Sequence, residues 1–153
     1  MLHAKFVVGL VVLAWLFAKC EIEIEGGDGW AGKLPTWKIQ NRLTDIIYGG
    51  RPLTGYHLYM QTWVLLFAHI PFAIGDDWTV RAEALVLAFV MLFWIVEDFL
   101  WFVVNPRFGI RKFKAKEIWW HEKSWWLVAP REYFVMSALA TFLYLYGRSI
   151  VLP

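Results

Sequence analysis

Ionisable side chains inside apolar stretches are the first residues to question, because burying a charge away from water is costly and tends to be kept where it does something. Leaving aside Glu83 at the edge of the second, four fall within two long apolar runs: His57 and His69 in one, Glu97 and Asp98 in the next. The connection between these runs is centred between Asp77 and Trp78. In an antiparallel helix pair, residues equally far from that centre lie at equal depth, which sets His57 level with Asp98 and His69 level with Val86. Only the first match brings unlike polar groups together. His121 and Glu122, from a later Trp-rich segment, are placed to reach the same end.

The candidate constellation is therefore His57, Glu97, Asp98, His121 and Glu122. Three kinds of chemistry suit it. Imidazole and carboxylate can ligate a divalent metal, with His57, Asp98 and His121 as metal ligands and Glu97 or Glu122 as the catalytic base. A His–Asp pair in a low dielectric can hold or pass a proton, since the carboxylate favours the charged imidazolium. The same groups can also simply hydrogen-bond one helix to another. The spacing does not choose among the three. His69 stands apart: Pro71 frees the carbonyl of Phe67 and kinks the helix, and His69 is expected to satisfy nearby backbone or a neighbouring helix.

Other motifs fail on inspection. Gly27, Gly29 and Gly32 match the glycine pattern of a dinucleotide-binding turn, but Lys33, Leu34 and Pro35 follow where a helix should begin. His121-Glu122 opens like a zinc-protease helix, yet Trp125 stands where the second histidine belongs. Four histidines are too few for a histidine-box oxygenase, and no paired Glu-x-x-His occurs for a di-iron bundle. Cys20 is alone, which excludes an internal disulfide or a cysteine metal cluster.

The elements that must hold these residues are apolar helices. Hydrophobic residues make up 59% of the 153 and charged residues 18%, against about 45–50% apolar in ordinary soluble domains. Eleven tryptophans suit a chain that meets the lipid–water boundary. Crossing a bilayer takes about 20 helical residues, and four segments approach that length: 6–19, 53–75, 82–104 and 131–147. The first, preceded by Lys5, also resembles a cleavable signal segment, which would leave three crossings. The expected fold is an all-α integral membrane protein, a single domain over 1–153 built as a compact bundle of four transmembrane helices.

Between the helices lie two polar loops, 20–52 and 105–130. Residues 21–25 alternate Glu and Ile, a period-two pattern that predicts a short β-like segment in need of a partner. Residues 38–48 predict a short amphipathic stretch. The run Arg111, Lys112, Lys114 and Lys116 followed by Trp119, Trp120, Trp125 and Trp126 predicts an interfacial helix against anionic lipid head groups. Asn105-Pro106 should end the third helix. Of the fifteen Lys and Arg residues, twelve fall in or beside these loops and three on the other side. The positive-inside rule then places both loops in the cytoplasm of a multi-pass protein of an inner or plasma membrane.

The formal charge of +2 gives no reason to expect nucleic acid. The partners expected are the bilayer, its anionic head groups, and a membrane-protein partner or a second copy. The function that follows is a non-catalytic accessory or assembly component of a membrane complex. Two alternatives remain: a metal-dependent membrane enzyme acting on a lipid-like substrate, and an oligomeric proton-coupled transporter.

Overall fold

The computed structural model describes residues 2–148. The elements are α1 (Leu2–Glu25), β1 (Lys38–Ile39), α2 (Arg42–Ile47), β2 (Leu53–Thr54), α3 (Gly55–Ala68), α4 (Ile70–Ile74), α5 (Val80–Val104), β3 (Trp125–Trp126), β4 (Ala129–Pro130) and α6 (Arg131–Arg148). The strands form two separate antiparallel pairs, Lys38 opposite Thr54 and Trp125 opposite Pro130.

Helix α5 is the spine. α1 runs alongside it in the same direction, with Phe6 edge-on to Phe89 and Phe17 edge-on to Phe93 and Trp94. Leu10 and Ala14 close on Phe93, and further along Ala18 and Ile22 join a second core with Trp101 and Phe102. α6 runs antiparallel: Tyr133 meets Asp98 near the end of α5, while Gly147 meets Leu85 near its start. α3 is also antiparallel, so the C-terminal ends of α1 and α5 meet the N-terminal ends of α3 and α6. The segments between the helices fold over this one end.

Four transmembrane helices are not what forms. Among the described residues only α5, 25 residues long with an 18-residue stretch of mean hydropathy 2.2, is long and apolar enough to cross a membrane. The second expected crossing breaks at His69 into helices of 14 and 5 residues, because Pro71 cannot continue the backbone ladder. The fourth is an 18-residue helix bracketed by Arg131, Glu132 and Arg148. The first is the apolar start of a longer helix that also carries Lys5, Lys19 and three glutamates. Multi-pass topology therefore loses its support, and what stands is one helix able to cross.

Two smaller expectations also change. Residues 21–25 are helical, not a strand. Leu10, Ala14, Ala18, Glu21, Ile22 and Glu25 are buried while Glu23 and Ile24 are exposed, which is a helical stripe rather than an alternation. The helix ends only at Gly26, whose φ of +68° lets its N–H reach the Ile22 carbonyl at 2.8 Å. The Trp-rich segment is not an interfacial helix. It folds as turns, two 3₁₀ turns (Ile110–Lys112 and Glu122–Ser124) and the β3–β4 hairpin. Ile118 and Trp120 are drawn into the core against Phe102, leaving Trp119 and Trp126 outside.

α5 ends as expected, with Asn105 at its C-cap. The Asn105 side chain is buried and donates to the Gly26 carbonyl at 2.9 Å, tying the ends of α1 and α5 together.

Candidate functional site

Where these helix ends converge they line a partly open cavity of about 390 Å³, within the roughly 300–1,000 Å³ typical of small-molecule pockets. Its two ends differ in chemistry. Glu21, Glu25, His57, Glu97, Asp98 and His121 surround one end, and Leu65, Val90, Trp94, Ile95 and Met136 line the other, between α3, α5 and α6. Along α5, Val90 and Asp98 are separated by eight residues, or about 12 Å at 1.5 Å per residue. The cavity is amphipathic along its length.

The α1 glutamates are set by helical spacing. Glu21 and Glu25 are one turn apart on the stripe facing α5, and both are buried. Glu21 accepts a hydrogen bond from the Tyr56 hydroxyl at 3.2 Å and hydrogen-bonds to Glu97. Burial, reinforced by the nearby Glu25, raises its pKa to about 8. Burial likewise raises that of Glu25 to about 7, opposed by the backbone N–H groups of Ala31 and Trp30 that point at its carboxyl. The Ala31 N–H reaches Glu25 Oε1 at 2.6 Å.

That last contact has a backbone cost. Trp30 and Ala31 both adopt positive φ, +46° and +49°, a conformation costing about 1–2 kcal/mol for a residue bearing a Cβ. Such outliers gather at working sites, and here the turn does two things at once. It aims N–H groups at Glu25, and it brings the Trp30 ring onto His57, stacked at 3.8 Å with an interplanar angle of 19°. The Arg51 guanidinium lies 4.1 Å from the same indole, whose N–H donates to the Pro52 carbonyl at 2.8 Å.

His57 begins α3. Thr54 caps that helix, its hydroxyl accepting the His57 backbone N–H at 3.1 Å and hydrogen-bonding to Nδ1 at 2.8 Å. Burial, with Arg51 adding to it, pushes the His57 pKa down to about 3, so the imidazole is neutral near pH 7. The 3.8 Å separation between Nε2 and Glu25 is thus a contact between two polar groups and not an ion pair.

Asp98 takes other partners. Tyr133 donates its hydroxyl to Asp98 Oδ2, and His121 Nε2 lies 3.1 Å from the same oxygen. His121 is among the most completely buried side chains. Both its ring nitrogens lie 3.4–3.5 Å from one Arg51 nitrogen. Arg51 also donates Nε–H to the Tyr48 carbonyl at 2.6 Å and sits 3.8 Å from Glu132.

His57 and Asp98 line the same cavity, as their matched depth predicts, but they do not pair with each other. Glu97 lines it as well. Glu122 does not: it is exposed on the 3₁₀ turn, because that turn directs His121 inward and its neighbour out. The proposed divalent-metal set of His57, Asp98 and His121 is not assembled. Among the described residues no three His, Cys, Asp or Glu side chains come close enough to hold a metal ion. Trp30 and Thr54 hold His57, whereas Tyr133 and Arg51 hold the Asp98–His121 pair.

Glu21, Glu25, Arg51, Glu132 and Tyr133 also line the cavity, and residue type and spacing alone do not mark them as part of it. For the α1 glutamates a signal existed, since positions 21 and 25 satisfy i, i+4 helical spacing as well as they satisfy alternation. Arg51 had none: it lies in a loop and reaches the site through tertiary packing.

Several polar atoms here are buried without a hydrogen-bond partner. They are Glu97 Oε1, both carboxyl oxygens of Glu132 and the indole N–H of Trp101, and all three residues line the cavity. Glu132 lies against Gly49, where a Cβ would collide with its carboxyl and where φ is +62°, so glycine is required on both counts.

No protein-family model, curated protein or solved structure matches the chain.

Proposed function

We propose that this chain is a membrane-associated binding protein for an amphiphile, a molecule with a polar head and a single apolar tail. One observation carries the reading: a single cavity with buried polar groups at one end and apolar walls about 12 Å away along α5. A tail lying against Val90, Trp94, Ile95 and Met136 would place a head among Glu97, Glu132 and Trp101. Buried polar groups without partners are rare in folded proteins, and a ligand head group would satisfy them.

The surroundings support work at a membrane. Beyond α5, large apolar side chains point outward from α1 (Val7, Val8, Val11, Val12), from α3 (Trp63, Leu66, Phe67) and from α6 (Phe142, Leu145). Apolar surface on that scale calls for lipid or a protein partner. The accessory-subunit reading drew support from a strand at 21–25 lacking a partner, and that segment is helical. Amphiphile binding accounts for the buried polar groups, which the accessory reading leaves without a role.

The test is native mass spectrometry of the chain purified in a mild detergent. One amphiphile should be retained per chain, and Val90→Trp, which fills the apolar end, should lower its occupancy. A folded wild-type chain that retains no amphiphile and shows no saturable binding of dodecyl compounds would exclude the reading.

A further inference from the structure

The hydrogen-bonding character left open in the cavity selects one class of head group. Most of the polar groups already have partners. Asp98 is engaged by His121 and Tyr133, Glu25 by the Ala31 N–H, and Glu21 by the Tyr56 hydroxyl. Arg51, the lysine-or-arginine side chain lining the cavity, directs Nε at a carbonyl and its other nitrogens toward His121 and Glu132. What remains without a hydrogen bond is three carboxyl oxygens, Glu97 Oε1 and the two of Glu132, one of which lies 3.8 Å from Arg51, and one donor, the Trp101 N–H. Glu97 is 3% exposed and Trp101 4%, so water outside the fold does not serve them.

We infer that the site takes an amphiphile whose head is an amine, carried as an ammonium with an oxygen close by as in an amino alcohol, and that it rejects phosphate and carboxylate heads. This rests on the amphiphile reading and sharpens it. An ammonium offers three donors and no acceptor, the complement of the three open carboxyl oxygens. The neighbouring oxygen gives the Trp101 N–H its acceptor. Indole rings of Trp94, Trp101 and Trp120 also line the cavity and offer π faces to a cation. A phosphate or carboxylate brings only acceptors and negative charge against Glu132, which costs Coulomb energy, and it leaves the open carboxyl oxygens without a donor.

The experiment compares dodecylammonium, dodecanol and dodecyl phosphate on the full chain in phosphatidylcholine nanodiscs, read by saturable changes in tryptophan fluorescence. Partition into the lipid is referenced to nanodiscs without protein. Dodecylammonium should bind at least about tenfold more tightly than dodecyl phosphate. Glu97→Gln and Glu132→Gln should each shrink that ratio while leaving dodecanol binding in place. Glu132 makes no hydrogen bond that its amide would lose, only the 3.8 Å charge contact with Arg51, so its variant, checked for folding by circular dichroism, carries the comparison should Glu97→Gln fail to fold. Dodecyl phosphate binding as tightly as dodecylammonium overturns the head-group inference but leaves amphiphile binding intact. Saturable binding of none of the three removes the amphiphile reading itself.

Discussion

Glu25→Gln isolates the energetic consequence of burying the α1 carboxyls. Glu25 holds its proton up to about pH 7 in the folded chain, against an ordinary value of 4.5, because burial penalises its charged form more than the Ala31 N–H favours it. Between these pH values the folded state carries a proton that the unfolded state has released. Stability therefore falls as pH rises from 4.5 to about 7 and is flat beyond. The direction is opposite to that of a salt-bridged carboxylate, whose contribution is lost on acidification. At about 1.36 kcal/mol per pKa unit the loss is about 3 kcal/mol, or roughly 6–12 °C in melting temperature for a chain of this size.

A glutamine has the same shape, accepts the same Ala31 N–H and does not titrate. The variant should match wild type near pH 4.5 and melt higher than wild type above pH 7. The assay is thermal unfolding followed by circular dichroism in one detergent across that range. Glu21, whose proton is held to about pH 8, still titrates in the variant, so some decline remains and the informative quantity is the difference between the two chains. A variant destabilised equally at every pH would refute the reasoning, since it would mean that Glu25 acts as a charged acceptor in the fold.

At the far end of α3, His69 Nδ1 lies 2.7 Å from the Leu65 carbonyl and Nε2 3.1 Å from Glu83, an arrangement only a doubly protonated ring satisfies on both sides. The Leu65 carbonyl first, and Glu83 second, raise the His69 pKa. Its contribution to stability is thus complete at low pH and lost as pH rises through the raised value. An NMR titration should place the His69 midpoint above 6.5, and Glu83→Gln should bring it down; a midpoint unchanged by that substitution counts against the contact. Gly49→Ala should cost about 1–2 kcal/mol from its positive φ alone, plus displacement of Glu132. Its unfolding midpoint should drop and its preference for dodecylammonium should weaken, whereas wild-type stability would show that the turn adapts freely.

What the sequence determined by itself was local and compositional. The apolar run of α5, its stop at Asn105-Pro106 and the break before Pro71 follow from residue type and from the geometry proline forbids. The equal depth of His57 and Asp98 followed from the hairpin connecting their helices, and both side chains reach the same cavity. Residues 21–25 satisfied two periods at once, and only tertiary packing decided between them. A strand there would have lacked a neighbour, while a helix buries Ile22 against Trp101 and Phe102 and turns Glu21 and Glu25 into the cavity.

The partners of the buried polar groups were likewise decided by packing. Trp30 takes His57 and Tyr133 takes Asp98, through contacts spanning 27 and 35 positions of sequence, respectively. Such long-range pairings depend on how loops close over helix ends, and no local period encodes them. The sequence determined that ionisable groups would be buried; the tertiary structure decided which of them were left with open acceptors, and hence what the cavity is suited to hold.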